Sequence, residues 1–286
     1  MRIDLPMHGK TCLVTGANSG IGKATAASLA QLGAGVVMVC RDQARGEAAR
    51  AEIQASSSND AVSLLLADLA SMSDVRRLAA QIREQHDRLD VLINNAGVAL
   101  DHRQVTEDGL ETTFAVNYLA PFLLTHLLLD LLKKSAPSRI VNVASYTHTW
   151  VKMIPWDDLQ SEREYDSRSA YNLSKLMDIL FTYELSKRLA GSGVTANCLH
   201  PGWPMKTNLD REAKGSGALV VKISRLFAIS AERGAGTSIY LAGSPEVETT
   251  SGRYFAKSKP AESSALSHDE AAAQRLWDLS MQLCGL

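Results

Sequence analysis

The chain has 286 residues, 45% of them hydrophobic and 21% charged, enough for one large α/β domain or two small ones. With 30 Lys and Arg against 31 Asp and Glu the formal net charge is −1, which excludes a global field drawing in nucleic acid or an anionic membrane. Cys12, Cys40, Cys198 and Cys284 lack metal-ligand spacing and read as reduced, small hydrophobes, so no metal is expected.

The first ten residues carry no signal-peptide core. Thr11–Thr15 is predicted as a strand and Gly20–Leu32 as the helix after it. Gly35–Cys40 is a β-branched run, followed by a charged, Ala-rich helix over 44–55. A third strand over 63–66 and a third helix over 72–85 follow, then a strand over 90–94. A long helix is predicted from Leu110 to Lys134, a strand over 139–143, a helix over 169–189, a strand over 194–199 and a last strand over 252–255. No stretch reaches eighteen apolar residues. The longest apolar run, Leu119 to Leu132, is broken by Pro121, Thr125, His126 and Asp130, which favours a buried helix over a membrane span.

Short apolar strands alternating with longer helices predict an α/β chain with one parallel sheet of about seven strands, covered by helices on both faces. With no repeat, linker or composition break, residues 1–286 read as a single domain. Two stretches, about 146–168 and 203–231, break the rhythm. Both follow strands, where ligands bind in open α/β sheets.

Thr15-Gly16-Ala17-Asn18-Ser19-Gly20-Ile21-Gly22 ends the first strand and opens the first helix. Glycines there permit a tight turn and let the backbone approach a pyrophosphate at the helix N-terminus. The second strand ends in Cys40-Arg41-Asp42. Cys40 leaves no carboxylate for a ribose, and the Arg41 fork suits a 2′-phosphate, so NADP(H) is expected over NAD(H). Asp42 argues the other way if it pairs with Arg41. Tyr171 and Lys175 are four apart on a predicted helix and so share a face. A phenol ionises near pH 10, and a neighbouring ammonium favours its phenolate.

With Asn94-Asn95-Ala96-Gly97 after the fourth strand and Ser145 after the fifth, the chain resembles the short-chain dehydrogenase/reductase family over nearly its whole length. The resemblance implies a Rossmann-like doubly wound fold and a catalytic set of Asn117, Ser145, Tyr171 and Lys175. It further implies that Asp68 and Leu69 flank the adenine and that Gly16, Asn18, Ser19, Gly20, Ile21, Gly22, Arg41, Asn95, Ala96 and Gly97 hold the nucleotide. Tyr171, Lys175, Pro201, Gly202 and Thr207 would meet its nicotinamide half. In that scheme Ser145 polarises a carbonyl, Tyr171 is the general acid/base, Lys175 tunes it and binds ribose, and Asn117 supports a water relay. Ser145 also fits a plain strand end, and Asn117 a buried amide bonded to backbone.

Arg41, the run from Ser174 to Thr182 and the 26-position interval from Ser145 to Tyr171 (171 − 145) are similar to the retinol dehydrogenase and NADP-linked carbonyl reductase branch. Membrane-bound members carry an N-terminal anchor; none is expected here, and a cytoplasmic protein is. The irregular segments offer His148, Trp150, Val151, Met153 and Trp156, then Trp203, Met205, Leu219 and Phe227, as walls for a hydrophobic carbonyl or alcohol, though the same side chains fit loop core. Lys206, Arg211 and Lys214 leave an acidic substrate open, and His200 is assigned to loop packing. The apolar 122–132 and 176–181 stretches need cover on more than one side, which predicts a homodimer or homotetramer. A non-catalytic NADP(H)-sensing protein and a nucleotide-sugar epimerase are the rival readings.

Overall fold

The computed structural model describes residues 7–202 and 230–286. Their eight strands form one sheet in the order β3-β2-β1-β4-β5-β6-β7-β8, with β1 Thr11–Thr15, β2 Gly35–Cys40, β3 Val62–Leu66, β4 Val91–Asn94, β5 Ser138–Val143, β6 Val194–His200, β7 Tyr254–Ala256 and β8 Lys259–Pro260. All pairings are parallel except β7 with β8. The order reverses direction between β1 and β4, and this is the switch point where an open sheet leaves a crevice at its carboxyl edge.

Alternate residues of each strand feed opposite cores, as a period of two requires. Leu13, Val37, Val39 and Leu92 point into one, and Cys12, Val14, Val36, Met38, Val91 and Ile93 into the other. Helices α1 (Gly20–Gln31) and α2 (Gln43–Ser57) cover the second face together with α6 (Ala231–Gly243). The first face carries α3 (Met72–Gln85), α4 (Thr112–Lys134), α5 (Ser167–Arg188) and α7 (Glu270–Cys284). All four cysteines are buried and free.

By length and composition α4 is apolar enough to cross a membrane, but 78% of its most apolar window is buried, the position of a core helix. The apolar faces of α4 and α5 are covered in part within the described chain. The cover comes from α7, whose Trp277 ring lies 5.2 Å from Phe122, 4.9 Å from His126 and 6.0 Å from Phe181, while Ser280 bonds the Tyr118 hydroxyl at 2.7 Å. Arg188 stacks its guanidinium 4.2 Å over the outer face of Trp277. β8, α6 and α7 are additions to the predicted elements, and the last strand begins at Tyr254 rather than Gly252.

Candidate active site

At the carboxyl edge of β1 and β4 lies a cleft of about 530 Å³ lined by the glycine turn, the end of β2, Asp68, Leu69 and residues 95–100. Gly16 and Gly20 adopt φ of 66° and 55°, which favours glycine. At Gly22 a Cβ would stand 2.3 Å from the Gly16 carbonyl oxygen and 2.4 Å from Asn95 Nδ2, so the first helical turn packs directly on the turn and on β4. Thr15 locks these strand ends. Its Oγ1 accepts from the amides of Asn95 (2.9 Å) and Ala96 (3.0 Å), and its carbonyl accepts from Asn95 Nδ2 (2.8 Å). Ser19 makes no side-chain cap to α1, so the helix presents its first N–H groups toward the cleft.

Arg41 projects from the end of β2 with 77% of its side chain exposed, 3.6 Å from the Asp68 carboxylate. Asp42 does not pair with it. Its Oδ1 caps α2 by accepting from the Arg45 amide at 2.9 Å, which removes the objection that Asp42 occupies Arg41. Arg45, absent from the expected set, lines the same cleft. Free helix N–H groups, a turn with three glycines and two guanidiniums fit a phosphorylated dinucleotide.

A second cleft of about 540 Å³ adjoins the first, sharing Ile21, Asn95, Gly97 and Ala99. Its walls include Ser145, Thr147, Trp150, Arg168, Tyr171, Asn172, Lys175, Pro201 and Gly202. Ser145 caps the short turn Tyr146–Trp150; its Oγ accepts from the Thr147 amide (3.3 Å) and hydroxyl (3.1 Å), leaving its own proton to donate. Thr147 thereby belongs to the site, though nothing in the sequence singled it out. Tyr171 and Lys175 lie on α5, with Lys175 Nζ 5.9 Å from the Tyr171 ring centroid. That ammonium is buried and donates to the Val143 carbonyl (3.0 Å) and to Asp178 Oδ2 (2.9 Å).

Asn117 sits in a widened π-turn, Ala115–Leu119, within α4, a distortion frequent at functional sites. Its Oδ1 accepts from the Val98 amide (2.7 Å), and its two amide hydrogens go to the Val98 carbonyl (2.9 Å) and Ser174 Oγ (3.0 Å). Both hydrogens are taken, and the side chain fixes the backbone beyond Gly97, beside Lys175. A Cβ on Gly97 would lie 3.5 Å from Asn117 Oδ1 and 3.7 Å from Lys175 Nζ.

His148 is corrected from a substrate contact to a buried tie. It has no exposed surface; Nδ1 bonds the Ser145 carbonyl at 2.6 Å, Nε2 accepts from the Ser264 amide at 3.0 Å, and the ring meets Tyr254 at 5.1 Å. Burial holds its pKa below the ordinary histidine range, consistent with a neutral ring. Trp150 does line the cleft. Val151 and Trp156 pack on the core instead, with Arg275 stacked 4.4 Å over Trp156, and Met153 is 75% exposed. His200 accepts from the Gly202 amide at 3.1 Å and stacks on Tyr254, the packing role expected of it. Trp203, Met205, Lys206, Thr207, Arg211, Lys214, Leu219 and Phe227 lie outside the described residues.

A family model described as short chain dehydrogenase matches residues 10–216. Retinol dehydrogenase 14 of Homo sapiens is 48% identical over 298 residues, covering 98% of this chain and 88% of that protein. Among solved structures, an uncharacterised protein from Mycobacterium paratuberculosis superposes with a TM-score of 0.79 at 34% identity, covering 99% of this chain and 96% of its own. Pseudomonas aeruginosa RhlG, solved as an NADP active-site complex, gives a TM-score of 0.71 at 27% identity, covering 89% and 97%.

Proposed function

The chain belongs to the short chain dehydrogenase family of oxidoreductases, whose cofactors are NAD(P) nucleotides, and we propose that it moves a hydride between NADP(H) and a hydrophobic alcohol or carbonyl. The observation that carries this reading is one continuous crevice in which the glycine turn at one end meets Ser145, Tyr171 and Lys175 at the other. A bound nicotinamide supplies the hydride in reduction and accepts it in oxidation.

The protein's own part is to manage the charge that develops on the substrate oxygen. Ser145, its lone pairs already engaged by Thr147, directs its hydroxyl proton at that oxygen. Tyr171 delivers a proton to it in reduction and removes one in oxidation. The Lys175 ammonium stabilises negative charge on the phenol oxygen. Asn117 holds Val98 and Ser174 in place around that ammonium.

The preference for NADP(H) rests on Arg41 and Arg45, on the absence of a carboxylate at Cys40, and on Asp42 being engaged at its helix cap. The NADP in the Pseudomonas aeruginosa neighbour supports the same choice. Trp150 in the catalytic cleft and the 48% identity to a retinol dehydrogenase support a hydrophobic alcohol or aldehyde as substrate class. Tyr171→Phe tests the mechanism. Turnover of a carbonyl panel with NADPH is expected to fall by about 10²–10⁴-fold while the cofactor Kd holds, the contribution of a positioned acid. Turnover retained in the variant would exclude Tyr171 as the proton donor.

A further inference from the structure

The family chemistry assigns work to Lys175 but none to the carboxylate beside it. Asp178 lies one helical turn beyond Lys175 on α5, and both side chains are only 4% exposed. Its Oδ2 is 2.9 Å from Lys175 Nζ, and the backbone carbonyl of Val143, 3.0 Å away, is the other oxygen that the ammonium meets. A buried ammonium facing one neutral carbonyl loses most of its hydration and tends to shed its proton. We propose that Asp178 is a positioning residue of the site: its carboxylate keeps the buried Lys175 ammonium charged and aimed between Val143 and Tyr171.

The surroundings supply no other anion for this task among the described residues. On α5 itself Tyr171 is the remaining titratable neighbour of Lys175. From α4 the hydroxyl of Tyr118 faces Asp178, and from β6 the thiol of Cys198 does; burial pushes both far up, so both stay neutral. The β5 side offers the Val143 carbonyl and Asn142, whose amide is spent on Thr182 Oγ1 at 2.9 Å. Burial alone works to lower the affinity of Lys175 for its proton. Asp178 foremost, then Tyr171, outweigh it and raise that affinity above the ordinary lysine value. Asp178 bears the cost: burial pushes its own carboxyl up to about 6 even beside the ammonium.

The pairing has a functional consequence that rests on the hydride-transfer reading. If Asp178 guarantees the charge, the support Lys175 gives to Tyr171 persists into alkaline solution. Asp178→Asn keeps the shape and an acceptor oxygen for Nζ but removes the charge. Two readouts test it. In protein carrying [13Cε]lysine, the Lys175 resonance of the wild type should hold its charged-state shift through about pH 10. In the Asn variant its inflection should move down by about 1–3 units, the span set by a lost opposite charge at this distance. In the activity readout, alcohol oxidation with NADP+ should hold through alkaline pH in the wild type and decline in the variant over that lower range. Asp178→Glu, which restores the charge on a longer stem, should recover part of the profile.

A wild-type Lys175 that loses its proton below about pH 9 overturns the proposal without any variant. So does an Asn variant whose resonance and pH profile keep the wild-type shape, including a turnover lowered equally at every pH. A displaced resonance in a protein without dehydrogenase activity would support the Asp178 assignment and count against the hydride-transfer reading alone. The two failures are thereby separable.

Discussion

Replacing His148 by alanine separates two roles that the sequence alone leaves open. A substrate contact would change KM and leave stability alone. The structure makes the ring a fully buried strut between the Ser145 carbonyl and the Ser264 amide, which are joined through no other side chain described at that point. Removal loses two hydrogen bonds, each worth about 1 kcal/mol net, and strands the Ser264 N–H at a further 1–3 kcal/mol, roughly. A cavity against Tyr254 adds to that, so the expected loss is at least about 3–5 kcal/mol. For a domain of this size about 1 kcal/mol corresponds to 2–4 °C, so Tm should fall by roughly 6–20 °C. Thermal melts followed by circular dichroism read this directly, alongside steady-state kinetics. We expect kcat to drop, because Ser145 loses the tie that holds its backbone, with KM little changed. A Tm within about 2 °C of wild type, less than 1 kcal/mol on the same scale, together with a raised KM, would refute the strut and return His148 to the substrate wall.

Arg41→Ala should cut kcat/KM for NADPH by about tenfold, the scale of one charge-assisted hydrogen bond, and leave the value for NADH nearly unchanged. An equal loss with both cofactors would remove Arg41 from a 2′-phosphate site. Stability should decline as pH falls below about 6.5, because His86, His126, His148 and His200 are held below the ordinary range chiefly by burial, so the unfolded chain takes up protons first. Asp178 acts with the opposite sign between about 6 and 3.8, since its folded carboxyl binds the proton first, but one such group faces four histidines. Denaturant midpoints at pH 7.5 and 5.5 check this; a higher midpoint at 5.5 would contradict it. Gly22→Ala should raise the NADPH Kd and lower Tm together, because its Cβ has no room against Gly16 and Asn95; a variant that binds normally would show that the turn yields.

The strands β1 to β6 were legible because parallel strands buried on both faces read as unbroken apolar runs, and the glycine turn because its spacing follows one of them. What escaped depends on distance along the chain or on weak local propensity. The partners of His148 include Ser264, 116 positions away, which no local pattern reveals. Helix α6, Ala231–Gly243, holds three glycines besides its apolar residues, which blurs its period. Two misses had a local signal. Asp42 before a helix reads as an N-cap, which settles its competition with Arg41. Asp178, three positions after Lys175, reads as an ion pair on one face, but it sits inside the apolar 176–181 stretch, which points to core instead. The cover that α7 gives α4 and α5 escaped for the same reason as His148: that helix comes from the far end of the described chain.

That arrangement matters to the protein as it is made. Ribosomes release α4 and α5 well before the segment that forms α7, more than 80 residues downstream of Arg188. Until Trp277 arrives, Phe122 and Phe181 form a greasy face on a nascent chain whose Tyr171 and Lys175 helix is already synthesised. Completion of the core is therefore a late event in biosynthesis, and the interval before it is when chaperones have the most to protect.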